Sequence, residues 1–396
     1  MARRGRPSAR DSKRDAPATA RAAPDAAARH AREAREALTS SERGRSKERP
    51  SSPINVSPPL RARSVQHTPP GRTARRAAGI ASFLRLPVAA DPDVVPSVDV
   101  LLTGVPFDAG SAFRPGARFG PRAVREASAL SSPFSGALGV DVFRELGAAD
   151  GGDVTAQSSQ VAAVLDAVAE CTQAIAGSGV IPGFVGGDRT LTLGALRGLK
   201  RAKHKAQGVL LISSHPAASS AAERDIGAAN FLRHAVTEGL VRTDCAMQVG
   251  LRGPYPASDE LSFAFSHGID TVGVDEVRWD LHAVVSQVRK LVQKGAVYVS
   301  VDVGALDPAY APGASFPVPG GMTTWDLQQI LRALVGAEIV GFDVVELAPG
   351  YDPTGITALA GVAVLHEILA AIADTRRSAM PAPSTHKSGR AGRRSA

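Results

Sequence analysis

The chemically capable residues of this 396-residue chain gather in short loops that follow apolar runs. Asp188 and Arg189 come after Val180–Val185 and the pair Gly186-Gly187. Ser213, Ser214 and His215 follow Gly208–Ile212; Asp302 and Asp307 follow Ala296–Val301; Glu346 closes the run Glu338–Val345, which carries Asp343 within it. Acids, an imidazole and hydroxyls collected in this way are the raw material of acid–base and ligand-binding chemistry. Two narrower readings fail on spacing. Ser213, Ser214 and His215 suggest a hydrolase triad, but neighbours along a strand end point to opposite sides, and the chain has no Gly-x-Ser-x-Gly elbow. Gly-Gly-Asp is too short for a phosphate loop, so Gly186-Gly187 and Gly320-Gly321 read as tight turns and close backbone packing.

The elements that must position these loops alternate along the chain. Val98–Val105, Val180–Val185, Gly208–Ile212, Ala246–Gly250, Thr271–Val274, Ala296–Val301 and Glu338–Val345 read as strands. Ser159–Ile175, Leu191–Arg201, Asn230–Glu238, Ser258–Phe265, Leu281–Gln293, Thr324–Leu334 and Ile356–Ala373 read as helices. Short apolar strands between amphipathic helices imply one parallel sheet covered on both faces. In such sheets ligands sit beyond the carboxyl ends of the strands, which is where the residues above fall.

The net charge of +8 is unevenly spread. Residues 1–80 hold 19 Lys/Arg and 7 Asp/Glu, a balance of +12; residues 375–396 hold six basic residues and no acid; the middle is left at −10. The predicted organisation is a disordered basic tail over 1–85, an α/β domain over 90–376 and a second basic tail over 377–396. Within the first tail, Ala propensity predicts a transient helix from about Asp25 to Leu38. Because the folded part is acidic, neither a specific nucleic acid nor a membrane is an expected partner. No apolar run approaches the roughly 20 residues of a membrane span. Two cysteines, Cys171 and Cys245, are too few for a disulfide framework and read as buried thiols, consistent with an intracellular, cytoplasmic compartment; organellar import through the N-terminal tail is the alternative.

Read in order, the strand-end loops are Gly-Val-Pro-Phe-Asp (104–108), Arg-Pro-Gly-Ala-Arg-Phe-Gly-Pro (114–121), Gly-Gly-Asp-Arg (186–189) and Ser-Ser-His-Pro-Ala (213–217). They continue with Ser-Val-Asp-Val-Gly-Ala-Leu-Asp-Pro (300–308), Ala-Pro-Gly-Ala-Ser-Phe-Pro-Val-Pro-Gly-Gly (311–321) and Gly-Phe-Asp-Val-Val-Glu (341–346). This series resembles the ureohydrolase (arginase/agmatinase) family, its agmatinase-like members in particular, from about Val98 to Ala373. The resemblance implies a three-layer α/β/α fold with a mainly parallel sheet of about eight strands. It also implies two Mn²⁺ ions at the strand ends, whose bridging hydroxide attacks a guanidinium carbon and releases urea and an amine. Metal binding takes the pKa of water from about 15.7 to about 7, which makes a nucleophile available at neutral pH.

Against the family pattern the loops depart at the metal site. Arg189 stands where the resemblance places a ligand His, and Ser213 and Ala217 stand at two ligand Asp positions. Gly304 replaces a third Asp, so His215 and Asp302 are the two ligands that remain of six. Asp225-Ile226-Gly227 lacks the proton-shuttling His, and Val318 replaces a common acid. Glu346, which in the family pairs with the substrate guanidinium, is kept as the candidate catalytic residue, with Asp343 and Asp307. A family site brings four carboxylates to two divalent cations; here Asp302 and Arg189 balance each other without metal. The expectation is therefore an Arg189 guanidinium beside Asp302 or Asp188, with no metal cofactor. It follows that the family fold serves binding, assembly or regulation, as a trimer or hexamer of itself or with an active paralogue. The alternative is a working amidinohydrolase releasing urea from agmatine or another guanidino compound.

Overall fold

The computed structural model describes residues 79–89, 97–111, 113–156, 158–203, 205–220, 225–255 and 259–379. The transient helix expected near Asp25–Leu38, most of the N-terminal tail and residues 380–396 lie outside them.

In chain order the elements are β1 (Val100–Val105), α1 (Gly120–Ala127), β2 (Phe134–Ser135), β3 (Val140–Asp141), α2 (Val142–Glu145), β4 (Ala148–Asp153), α3 (Val161–Gly177) and β5 (Ile181–Gly186). They continue with α4 (Leu191–Lys203), β6 (Gln207–Ile212), α5 (Phe231–Thr237), β7 (Val241–Leu251), α6 (Asp259–Ser266), β8 (Asp270–Gly273), α7 (Val274–Trp279) and α8 (Leu281–Val292). β9 (Val297–Asp302), α9 (Thr324–Arg332), β10 (Ile339–Val345) and α10 (Ile356–Ala379) complete the described chain. Eight of the described strands form one sheet in the order β4-β1-β5-β10-β9-β6-β7-β8, every neighbouring pair parallel; β2 and β3 form a separate antiparallel ribbon.

Both faces of the sheet are covered, and side-chain alternation assigns each residue to a face. Along β6, Leu210 and Ile212 enter one core with Val284, Val288, Leu327, Ile330, Leu365 and Leu369 from α8, α9 and α10. Val209 and Leu211 enter the other with Leu165, Val168, Leu196 and Phe231 from α3, α4 and α5. β9 repeats the rule, sending Val297, Val299 and Val301 one way and Tyr298 the other. Burying one such Leu or Ile contributes about 1.5–3 kcal/mol. α9 starts from a capping box, in which Asp326 N–H donates to Thr323 Oγ1 while Asp326 Oδ2 accepts from Thr323 N–H.

Several boundaries differ from the sequence reading. Phe83 and Leu84, inside the expected tail, are buried in the main core, with Phe83 N–H donating to Asp150 Oδ2. α10 runs on to Ala379, past the expected end of the domain, and by length and mean hydropathy would qualify as a membrane span; most of it is buried inside this domain instead. The reading that no run approaches that length therefore fell short. β4 was not anticipated: Ala-Ala-Asp-Gly-Gly-Asp has no strand signature, and it is held at the sheet edge by Arg125, which donates to Asp150, Asp153 and the Gly152 carbonyl. Cys245 is buried as expected, and Cys171 is half-buried.

Candidate functional site

Five adjacent central strands, β5, β10, β9, β6 and β7, end at the same edge of the sheet, and their following loops surround a cavity of about 340 Å³. Arg189, His215, Asp302 and Glu346 line it, with Glu260, Tyr255 and Phe316 among the remaining walls. The glycines before Arg189 allow the approach: a Cβ at 187 would lie 1.9 Å from the Phe107 carbonyl oxygen. Asp188 then turns away from the cavity, accepting from Gly110 N–H (2.8 Å) and Thr190 N–H (2.9 Å), and burial pushes its carboxyl up to about 6. Of the two acids considered as partners of Arg189, Asp188 is thus committed to holding the β1 loop.

The buried Arg189 side chain spans three loops. Nε donates to the Ala228 carbonyl (2.8 Å), and Nη1 donates to Ser213 Oγ (2.7 Å) and the His215 carbonyl (3.1 Å). Its closest approach to Asp302 is an ion pair at 3.6 Å, and the hydrogen-bonded link runs through Ser213, whose hydroxyl donates to Asp302 Oδ2 (2.8 Å). The expected direct charge-assisted bond is therefore a bridged one. The other carboxylate oxygen, Asp302 Oδ1, accepts from Gly304 N–H (2.7 Å). Gly304 and Ala217 do not line the cavity: Gly304 gives its carbonyl to Arg252, and Ala217, buried with φ +56°, receives Leu232 N–H.

His215 sits against Phe316 with ring centroids 4.5 Å apart, and its Nδ1 lies 2.7 Å from Ser214 Oγ. Burial, with the Arg189 and Arg252 charges, lowers its pKa to about 3, so the imidazole is neutral at physiological pH. Glu346 accepts Arg189 backbone N–H through Oε1 (2.9 Å), while Oε2 has no hydrogen-bond partner among the described residues. It occupies the left-handed region at φ +67°, a conformation that costs a non-glycine residue energy and is concentrated at functional sites. Burial, then the charges of Asp302 and Asp188, push its carboxyl up to about 8. One layer below, Asp343 accepts from Ser300, Tyr298 and Thr192 hydroxyls at 2.6–2.8 Å, and burial raises it to about 6.

Two residues escaped the sequence reading. Arg252 is buried and donates to the carbonyls of Gly250, Gly304, Ala305, Leu306 and Val318, tying the β7 and β9 ends to the 311–321 loop. Gly321 leaves room for it, since a Cβ there would stand 2.6 Å from Arg252 Nη2 and 2.3 Å from Asp307 N. Asp307 accepts from Gly320 and Gly321 N–H (2.7 and 3.0 Å), so it is a loop-building acid rather than a cavity residue. The second, Glu260, follows a loop without motif character and resembles an ordinary acid at a helix start. Arg114 and Arg118 brace loops, the first stacking over Tyr351 and the second pairing with Asp108.

Two divalent cations need several carboxylate or imidazole donors around one point. Here Asp302 has both oxygens engaged, His215 Nδ1 faces Ser214, and a guanidinium stands beside the pair. Among the described residues no group of three or more His, Cys, Asp or Glu side chains converges to hold a metal. The donor set as it stands does not fit a binuclear centre.

A family model described as the arginase family matches residues 98–371. The guanidinobutyrase of Pseudomonas aeruginosa is 34% identical over 302 residues, covering 76% of this chain and 94% of that protein. The mitochondrial agmatinase of Gallus gallus is 35% identical over 316 residues, covering 78% and 91%. Among solved structures, a hypothetical agmatinase from Burkholderia thailandensis superposes with a TM-score of 0.71 at 30% identity, covering 77% of this chain and 93% of that one.

Proposed function

The chain belongs to the arginase family, as an agmatinase-like ureohydrolase, and from that premise we propose that it binds a guanidino compound without hydrolysing it at a metal pair. Family membership speaks for the ligand, and the site geometry speaks against the chemistry. The observation that carries the second half is the Arg189–Ser213–Asp302 chain, which satisfies the remaining ligand carboxylate internally. A fixed cation there also opposes any incoming divalent ion. Glu346 is the residue that receives the guanidinium: it lines the cavity, and among the described residues its Oε2 has no hydrogen-bond donor. On this reading the protein acts through binding, assembly or regulation, as a homo-oligomeric trimer or hexamer or in a mixed oligomer with an active paralogue. The mitochondrial relatives support an intracellular setting, in the cytoplasm or an organelle.

An active amidinohydrolase is the second reading, supported by the hydrolase names of relatives that match over nearly their whole length. One experiment separates the two. The full chain, loaded with Mn²⁺ and desalted, is assayed by elemental analysis and for urea release from agmatine and 4-guanidinobutanoate. Substoichiometric metal with no urea above background supports the binding reading; one or two Mn per chain with enzyme-like turnover overturns it.

A further inference from the structure

Asp343 is an acid for which neither the resemblance nor the binding function has a use. It stands in the middle of β10, is fully buried, and does not line the cavity. Register pairs it with Phe184 on β5 and Ser300 on β9, so it faces the core that holds Phe184, Tyr298 and Val345. An apolar residue of similar size would suit that core better, because a buried carboxylate gives up its hydration and needs donors to offset the loss.

Those donors set Asp343 apart. Oδ1 accepts from Ser300 Oγ (2.6 Å), and Oδ2 accepts from Tyr298 Oη and Thr192 Oγ1 (2.8 Å each). Tyr298 and Ser300 belong to β9 and Thr192 to the first turn of α4, so one carboxylate ties three elements. Each tie lies close in the chain to a charged residue of the cavity. Thr192 comes three positions after Arg189, Ser300 two before Asp302, and Asp343 three before Glu346. Between β9 and β10 the ladder itself carries the register on, from Asp343 opposite Ser300 to Val345 opposite Asp302. A helix lying on a sheet has no such ladder to fix its height. The Thr192 hydroxyl, bonded to Asp343 and 3.3 Å from Ser300 Oγ, supplies a directional contact where apolar packing alone would let α4 slide. Sliding would carry Arg189 off Ser213 and the Ala228 carbonyl, which it meets at 2.7 and 2.8 Å.

We propose that Asp343 is a positioning residue: by collecting one hydroxyl from α4 and two from β9, it holds Arg189, Asp302 and Glu346 at the heights from which they share one cavity. It touches no ligand and acts through the three residues above it. Its effect on ligand affinity rests on the binding function proposed above; its effect on Arg189 does not.

Asp343→Asn, made in the full chain, keeps the shape and removes one acceptor oxygen. The placement of Arg189 is read from its Nε–Hε cross-peak in heteronuclear NMR, assigned with Arg189→Met, and affinity from calorimetric titration with agmatine. Val288→Ala, in the core on the opposite face of the sheet, controls for loss of stability alone. Asp343→Asn should displace the Arg189 signal and weaken agmatine at least about tenfold, while Val288→Ala changes neither. Thr192→Val removes only the α4 hydroxyl at similar shape; it should displace the signal by less, and it decides the role of Asp343 where Asp343→Asn does not fold. An Arg189 signal that stays in place in both variants, whatever their melting points, would make Asp343 a structural acid and overturn the proposal. If the wild type binds no agmatine, guanidino binding falls, and the Arg189 signal still decides whether Asp343 positions it.

Discussion

Two sets of residues at the cavity have settled their electrostatics differently. In one, Arg189, Ser213, Asp302 and the Gly304 amide close a circuit in which every charged group has a partner within the protein. Glu346 and Glu260 are also buried, yet among the described residues Glu346 accepts a single backbone N–H and Glu260 has no hydrogen bond, only the more distant Arg189 and Arg233 charges acting on it. A closed circuit stabilises the fold and binds little, because a ligand must first break it. Carboxylates left short of donors destabilise the empty protein and reward a cation that enters. On the function proposed above, the contrast puts stability at the positions that the resemblance assigns to metals, and recognition at Glu346.

Opening the closed circuit is the most severe way to break this comparison. The fourfold variant Arg189→His, Ser213→Asp, Ala217→Asp and Gly304→Asp removes the internal cation and restores the acids and imidazole of the family pattern. It should move Mn²⁺ content from near zero toward two per chain, measured by elemental analysis after desalting. A Cβ at 304 would stand 2.9 Å from Asp302 Oδ1, so Asp302 must rotate, the same motion that frees it for a metal. Asp tolerates the left-handed backbone found at Ala217 better than most residues. Continued failure to take up metal would mean that the closed circuit does not alone exclude it.

A smaller cut isolates the cation. Arg189→Met keeps much of the side-chain volume but leaves Ser213 Oγ and the carbonyls of Ala228 and His215 without their donor, and Asp302 without its ion-pair partner. Loss of one partner from a buried pair costs about 3–5 kcal/mol, so the urea midpoint should fall clearly, with an unchanged slope. A change below about 1 kcal/mol would show that the circuit is not what holds these three loops.

The second set predicts the opposite sign. Glu346 has a folded-state pKa raised to about 8 by burial and by the Asp302 and Asp188 charges. The folded protein therefore keeps this proton over a range where the unfolded chain, near the usual carboxyl value, releases it. The group's contribution to stability is complete at pH below about 4.5 and is lost as pH rises toward 8. Glu346→Gln removes that loss, so it should melt higher than the wild type by a few degrees at pH 8.5 and show a smaller difference at pH 5. A variant that melts lower at both values would place Glu346 among the structural acids.

Much of this arrangement is legible in the sequence, for physical reasons that differ by element. β5, β6, β9 and β10 are buried on both faces and so are written as continuous apolar runs, each handing its last residue to a loop. β7 is legible only in its second half, because Arg242, Thr243 and Asp244 lie toward solvent at its start. At the site, Arg189, Ser213 and Asp302 were found because their strand-end motifs place them at neighbouring strand ends. The bridging role of Ser213 was not, since a hydroxyl in a sequence does not say which acid it faces. Arg252 and Glu260 are missed for a related reason: burial without an ion pair among the described residues breaks the rule by which charged residues are assigned to the surface.

The smallest effect expected is at His215, which lines the same cavity. Burial comes first among the causes that hold its pKa at about 3, followed by the charges of Arg189 and Arg252. An unfolded histidine takes up a proton near 6.5, whereas the folded one does not, so His215 should weaken the fold progressively as pH drops from about 6.5 toward 3. In the native range nothing should move: its Cε1–H resonance stays flat from pH 5 to 8, as followed by heteronuclear NMR and assigned with His215→Gln. Arg189→Met takes away one of two positive neighbours but leaves burial in place, so the midpoint should rise while remaining below the unperturbed value. A midpoint already near 6.5 in the wild type would mean that neither the burial nor the guanidinium beside it is as drawn here. The closed circuit would then have lost its cation, and with it the contrast between a set of residues that is satisfied and a set that waits for a ligand.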